Sequence, residues 1–516
     1  MSAEPLRQKV VLAGVMLAIF LAAMESTVVA TAMPTVIASL GGIRIYSWVF
    51  SAFLLTSTIT MPLWGRLSDL LGRRPTFLAG VAIFLLGSGL SGLSQSMVQL
   101  IVFRALQGLG AGALITIGMT LVGDLFGLER RARMQGYLSG VWGVASLVGP
   151  AIGGFLADHV SWRWVFYINL PFGALSALAI AWGLSEPVAR RRTVSIDFLG
   201  TGLFTVAISS LLVGLAEGGR LASWLQPSVL GPLAGAALFL VLFVLVERRV
   251  AEPLIPLELF KNSMVRAGAA TGFLSGMAMF GAVSFIPLYI QAVVGTTATQ
   301  AGFVLTPFVL GWVAFSILSA RLVLRVGYRG VVMAGMATLT FSFLLLSEWD
   351  QGLTRLGAVR DVIFAGFGMG MVMVPMLIAV QSAVPKRELG IATSTVQFFR
   401  TIGGAVGVAV MGAVMAHRLQ GELLALLAAS GPGTRLAAQV RELVAQPDLI
   451  VNPATRETLA PVLLAHIRLV LAHALHGVFV VGLIVCLMAF VSSFLVPSGR
   501  ARDLARAEEA APTPGS

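Results

Sequence analysis

The chain has 516 residues, of which 57% are hydrophobic and only 11% charged, against roughly 45–50% and about 25% in an ordinary soluble domain. That composition excludes a soluble protein, because the apolar stretches are too many and too long to be shared among the cores of about three globular domains. The formal charge is +12, and the single cysteine, Cys486, lies in an apolar run, which excludes a disulfide framework and a cysteine metal cluster.

Fourteen apolar spans follow one another, at about 10 to 33, 47 to 66, 75 to 94, 98 to 123, 133 to 157, 163 to 184, 196 to 216, 228 to 247, 264 to 292, 299 to 322, 328 to 347, 357 to 381, 390 to 416 and 474 to 496. Each is long enough to cross ~30 Å of hydrocarbon as a helix. The expected fold class is an all-α integral membrane protein. The first span lacks a small-residue cleavage site and carries Glu25, so it reads as a retained helix rather than a signal peptide. Glycine, at 57 residues, exceeds its usual ~7%, as close helix packing in lipid requires.

The basic residues set the orientation. With the N-terminus inside, the inner loops receive Arg66, Arg73, Arg74, Arg130, Arg131, Arg133, Arg190, Arg191, Arg192, Arg248, Arg249, Lys386 and Arg387. The outer loops and helix ends receive only Arg44, Arg163, Arg220, Arg355 and Arg360. The positive charge is therefore topological, a nucleic-acid partner is not expected, and both termini are expected in the cytoplasm.

An internal repeat comes next. Phe20, Leu21, Met24, Pro34 and Gly42 recur 253 positions later as Phe273, Leu274, Met277, Pro287 and Gly295. Gly65, Arg66, Leu67, Gly72 and Arg74 find Ala320, Arg321, Leu322, Gly327 and Arg329 at 255, and Gly136, Gly149 and Gly153 find Gly390, Gly403 and Gly407 at 254. Spans 1 to 6 thus match spans 9 to 14 in the same orientation, a parallel repeat whose halves can rock about a central site. The domains expected are a six-helix bundle over 1–190, two inserted spans over 191–250, a second bundle over 251–497 and a tail over 498–516.

Four motifs then carry a family resemblance. The run from Gly65 through Asp69, Gly72, Arg73 and Arg74 to Pro75 resembles the loop signature of the major facilitator superfamily, and Arg104 to Gly110 resembles its fourth-helix motif. Gly143, with Gly149, Pro150, Gly153 and Gly154, resembles its fifth-helix antiporter motif. Trp162 to Pro171 is similar to a segment of the fourteen-helix drug:proton antiporters. The resemblance covers nearly the whole chain and implies a membrane antiporter, not an enzyme, with no cofactor.

Of 23 acidic residues, Glu25 alone sits well inside a span. A charge there is costly, at least ~2.5–3.5 kcal/mol, and marks a functional hypothesis. Leu21, Ala22, Val28 and Val29 share its helix face, and an apolar setting disfavours the charged carboxylate. Glu25 is therefore the candidate proton carrier. Arg104 is its candidate partner, since each lies about six residues, roughly 9 Å, from the outer end of its span. Gln107, Gly108 and Ala111 extend the Arg104 face, which reads as lining a cavity. Ala278 occupies the position of Glu25 in the second half, so the scaffold does not demand an acid there. The family usually has Asp where this chain has Glu25; an ion pair that only fixes packing is the competing reading.

In the family, the cluster at Asp69, Arg73 and Arg74 latches the halves, its carboxylate near the N-terminus of a second-half helix. By the repeat that helix is span 13. Leu324 replaces Asp69 in the second copy, so the latch should be one-sided and should favour the outward-facing state. Gly149 and Pro150 permit a bend in span 5, and the glycines around them permit close contacts that seal the bundle against proton leak. Met24, Gln107, Gln397 and Arg400 are candidate cavity residues; Arg400 suits backbone carbonyls and substrate equally.

The expected cargo is a lipophilic drug. A solitary intramembrane acid suits a lipophilic cation exchanged for a proton, while the nearby Arg104 leaves neutral or anionic amphiphiles open. The 20 Met and 30 Phe are adaptable apolar side chains. No GxxxxGK[ST] loop occurs, so the energy source is an ion gradient. The outer segment 417–473 has leucines at helical spacing (Leu419, Leu423, Leu424 and Leu427, then Leu459, Leu463 and Leu464), interrupted at Gly431-Pro432-Gly433 and Asn452-Pro453. It reads as amphipathic helices that gate the exit, dock an adaptor or lipid carrier, or form a passive insertion. Export of a lipid or envelope precursor by the same machinery is the alternative function. A monomer in the cell membrane is expected.

Overall fold

The computed structural model describes residues 3–41, 48–185, 197–221, 224–250, 253–296, 304–430, 435–445 and 461–498. Among them all regular structure is helical, and fourteen helices are long and apolar enough to cross a membrane. With no water in the hydrocarbon to meet a free peptide group, a helix that bonds its own backbone is what such sequences adopt.

Span 1 is Ala3–Leu40, span 2 Trp48–Leu71, span 3 Arg73–Leu93, span 4 Met97–Leu125 and span 5 Leu128–His159. Span 6 is broken into Trp164–Tyr167 and Asn169–Gly183. Spans 7 and 8 are Phe198–Leu221 and Pro227–Glu247. Spans 9 to 14 are Ser263–Tyr289, Thr306–Val326, Tyr328–Ser347, Arg355–Gln381, Leu389–Ala429 and Pro461–Ser492.

Helix pairing repeats between the halves. In the first, span 1 packs on spans 4, 5 and 6, span 4 on spans 2 and 3, and span 3 on span 6; in the second, spans 9 to 14 make the same set of contacts in the same order. The halves meet chiefly through two related pairs, span 2 with span 13 and span 5 with span 10, flanked by a second related set, span 4 with span 13 and span 5 with span 12. One buried core draws on residues between Val11 and Leu184. The other combines spans 9 to 14 with Phe204, Ile208 and Phe243 of the inserted spans and Ile59 of span 2. Phe204 joins the inserted pair to span 13, its ring centroid 5.2 Å from those of both Phe243 and Phe398.

Gly72 and Gly327, related by the repeat, adopt φ of 96° and 87° at the turns that open spans 3 and 11, a conformation side chains rarely allow. Glycine also sets helix spacing. A Cβ at Gly276 of span 9 would lie 2.1 Å from the Arg400 carbonyl oxygen of span 13. Gly276→Ala is accordingly expected to force these helices apart, at a cost of about 1–3 kcal/mol. Thermal unfolding in detergent checks this: an unchanged midpoint would mean that the close approach does not support the second half.

Spans 13 and 14 are longer than their apolar stretches. Span 13 runs on to Ala429, and span 14 begins at Pro461 rather than near 474. Much of the outer segment 417–473 is thus a continuation of two membrane helices, with a separate helix at Arg435–Ala445. Leu419, Leu423 and Leu463 are buried while Leu424 is exposed, so within the first leucine group Leu419 and Leu423 mark a packed face and Leu424 points away from it. The breaks at Gly431-Pro432-Gly433 and Asn452-Pro453, and Leu459, lie outside the described residues, as do the boundary near 190 and most of the tail.

Candidate functional site

Glu25 and Arg104 meet. Both are essentially solvent-free, at 1% and 0% exposure, and Arg104 Nη1 donates to Glu25 Oε1. The same Nη1 donates to Gln107 Oε1 at 2.7 Å, and Nε to the Val49 carbonyl of span 2 at 3.3 Å. The guanidinium carbon stands 4.2 Å from the Phe53 ring centroid. The other carboxylate oxygen accepts from Asn169 Nδ2 of span 6 at 2.6 Å. Asn169 Nδ2 also donates to Ser88 Oγ of span 3 at 2.9 Å, and Ser88 Oγ to the Phe166 carbonyl at 2.8 Å. One carboxylate therefore ties together spans 1, 3, 4 and 6, and the guanidinium adds span 2.

Asn169 and Ser88 were not singled out from the sequence. Asn169 stands within the Trp162 to Pro171 segment, and its amide in an apolar helix was the available signal. It opens the second piece of span 6, where the helix breaks at Ile168. Asn169→Leu is expected to leave one carboxylate oxygen without a donor and to cut pH-driven exchange about tenfold, given ~1.5–3 kcal/mol for a hydrogen bond to a charged group. Flux per folded protein in vesicles checks this, and wild-type flux would remove Asn169 from the coupling cluster.

The Arg104 face of span 4 does not line a cavity here. A Cβ at Gly108 would lie 2.1 Å from Thr56 Oγ1, and one at Gly112 2.6 Å from Thr60 Oγ1. These glycines bring span 2 so close that the face is covered, and Thr56 Oγ1 donates to the Ala105 carbonyl at 2.8 Å. Gln107 and Met24, expected in the cavity, are instead buried in the first half at 0% and 1% exposure. Gln397 and Arg400 lie elsewhere: Gln397 Nε2 stands 3.0 Å from Met119 Sδ of span 4, across the interface between halves, and Arg400 reaches Met373 of span 12.

The second cluster joins the halves on the side bearing the basic residues. Asp69 Oδ1 and Oδ2 accept from the backbone N–H groups of Gly390 and Ile391, at 2.9 and 2.8 Å. These are unpaired donors of the first turn of span 13, where a negative charge is favoured. Arg73 Nη1 donates to Asp69 and, at 2.8 Å, to Ser68 Oγ, while Nε donates to Asp124 Oδ2 at 2.8 Å. Gly65 admits the contact, since a Cβ there would lie 2.3 Å from Ser394 Oγ. Arg74 is exposed. Two more links close this side: Gln381 Nε2 donates to the Met119 carbonyl at 3.2 Å, and Arg131 Nη1 to Ser382 Oγ at 3.4 Å. The Leu324 side chain lies outside the described residues.

Span 5 uses its glycines in two directions. Gly149 and Gly153 face span 1, where added Cβ atoms would lie 2.0 and 2.2 Å from Thr27 and Thr31 hydroxyls. Gly143 faces span 10 and the other half, 2.8 Å from Val309 and Val313 by the same measure, while Gly154 faces open space. The helix is continuous through Pro150, whose side chain is outside the described set.

A family model for the Major Facilitator Superfamily matches residues 15–408. The chain is 36% identical to the multidrug transporter protein MdtP of Bacillus subtilis (strain 168), over 98% of this chain and 97% of that protein. It is 33% identical to multidrug resistance protein 3 of the same strain, over 98% of each. In fold it is similar to the crystal structure of the human organic anion transporter MFSD10 (TETRAN), with a TM-score of 0.63 and 17% identity over 96% of this chain and 100% of that one.

Proposed function

The chain belongs to the Major Facilitator Superfamily, and from that premise we propose that it exports lipophilic drugs or amphiphiles across the plasma membrane in exchange for protons. Drug efflux is what the multidrug relatives support. The basic side is read as cytoplasmic and the exporter as a monomer.

The observation that carries proton exchange is the sealed Glu25–Arg104–Asn169 cluster. A carboxylate at that depth is tolerable because a guanidinium and an amide compensate it. When Glu25 takes a proton, the charge that holds Arg104 to span 1 disappears. Arg104 keeps Gln107, the Val49 carbonyl and the Phe53 face, so protonation loosens span 1 from spans 2 and 4 without expelling the guanidinium. Proton binding thereby becomes a change in packing inside the first half.

The Asp69 contacts with span 13 support a conformation closed on the cytoplasmic side, ready to exchange with the outside. Alternation requires those bonds to break as the halves rock. Vesicles containing the purified protein, with an imposed pH gradient, test the reading when dye accumulation and internal pH are followed together. Coupled movement is expected; dye flux indifferent to the gradient would replace exchange with facilitated diffusion.

A further inference from the structure

The exchange at Glu25 makes no use of Arg400. This residue lies eleven positions beyond Leu389, the first residue of span 13, so it is roughly 16 Å along the helix and near the middle of a ~30 Å hydrocarbon layer. Span 9 presses on its backbone at Gly276, and its side chain extends to span 12, where Nη1 meets the thioether of Met373 at 3.9 Å. Its Nε is buried and has no hydrogen-bond partner among the described residues. Among the described residues its guanidinium has no ion pair. The residue is nevertheless partly exposed, between buried neighbours at 391–398 and 401–404. Gln397, three residues earlier on the same face, reaches across to Met119 of the first half, so this face of span 13 looks into the interface about which the halves would rock.

The contrast with Arg104 is chemical. Arg104 has a carboxylate, an amide oxygen and a backbone carbonyl; Arg400 has a sulfur. Guanidinium stays charged at any working pH, and an uncompensated charge at this depth is kept where a ligand completes it. We infer that the cargo carries an acidic group, a carboxylate, sulfonate or phosphate, and that Arg400 is its counter-ion between the halves. Gln397 stands one turn away as an amide donor, and Met119 and Met373 offer adaptable apolar surface to the cargo's body. This rests on the exporter reading above and gives the cargo the charge opposite to that suited to a solitary carboxyl, because Glu25 is already paired with Arg104 inside the first half. An inside-negative potential then drives the anion outward as well as the proton inward.

The test uses the full chain in lipid nanodiscs, with 11-(dansylamino)undecanoic acid and its methyl ester as probes read by dansyl fluorescence. Wild type is expected to bind the acid at least about tenfold more tightly than the ester. Arg400→Gln should erase that preference and Arg400→Lys retain part of it, since a lysine keeps the charge but not the planar fork. Size-exclusion profiles confirm that both variants fold. An equal affinity for acid and ester in wild type, or an undiminished preference in Arg400→Gln, would overturn the assignment. Repeating the titration with phosphatidylglycerol in the disc identifies the source of the anion: competition points to a lipid headgroup, its absence to a free acid, and either supports the site. If pH-driven flux of the dansyl acid and of ethidium is absent from vesicles while the Arg400-dependent preference persists, the exchange reading fails and the anion site stands.

Discussion

Glu25→Gln is expected to abolish gradient-driven accumulation while leaving the protein in the membrane and able to bind cargo. Each pH unit is worth about 1.4 kcal/mol per proton exchanged, which sets a concentration ratio of roughly ten for one-to-one exchange. In the variant the ratio should collapse to about one. Gln is nearly isosteric and its amide oxygen can still accept from Arg104 or Asn169, so the local geometry survives; what disappears is the titratable oxygen and the charge that answers the guanidinium. Removing one member of a buried pair costs about 3–5 kcal/mol, so a lower melting temperature is also expected. Cargo exchange at equal pH on both sides separates the two effects, because a folded, uncoupled carrier retains exchange. Undiminished pH-driven accumulation by Glu25→Gln would eliminate this carboxyl as the proton carrier.

Asp69→Asn should shift the resting population toward the cytoplasm-open state. The wild-type carboxylate accepts two backbone N–H groups at the start of span 13 and holds Arg73. An asparagine has one oxygen for these donors, and its own NH2 then faces donors it cannot serve. With hydrogen bonds to a charged group at ~1.5–3 kcal/mol each, a loss of about 2–4 kcal/mol moves the equilibrium by roughly 30- to 1000-fold. Spin labels at Leu71 and Lys386, on opposite halves of the closed side, report it. Wild type should give a short, narrow distance distribution and the variant a longer, broader one. If the two distributions coincide, Asp69 does not hold the halves.

The spans were legible because lipid imposes a length and a polarity on each helix, and the repeat because two like-oriented halves need glycine at the same close approaches. The pairing of Glu25 with Arg104 was readable from equal depth, since two charges in hydrocarbon can satisfy each other only at the same level. Asn169 was not, because an amide has no charge to name its partner and span 6 breaks just before it. Nor was the covering of the Arg104 face, for a glycine on a sequence permits a neighbour without saying which helix comes. The helix over Leu419 to Leu427 was readable from its spacing, but its unbroken continuation of span 13 to Ala429 was not, because the apolar stretch ends near 416 and nothing in a change of polarity says whether the helix stops there.

The placement of spans 7 and 8 makes the two flanks of the molecule unequal. Span 7 packs on both span 13 and span 2, and therefore straddles one of the two seams between the lobes. The related seam, between spans 5 and 10, has no such shutter among the described residues. Lipid therefore borders two unequal flanks, one shielded by an extra helix and one where spans 5 and 10 face it directly, although the repeat that built them is nearly symmetric.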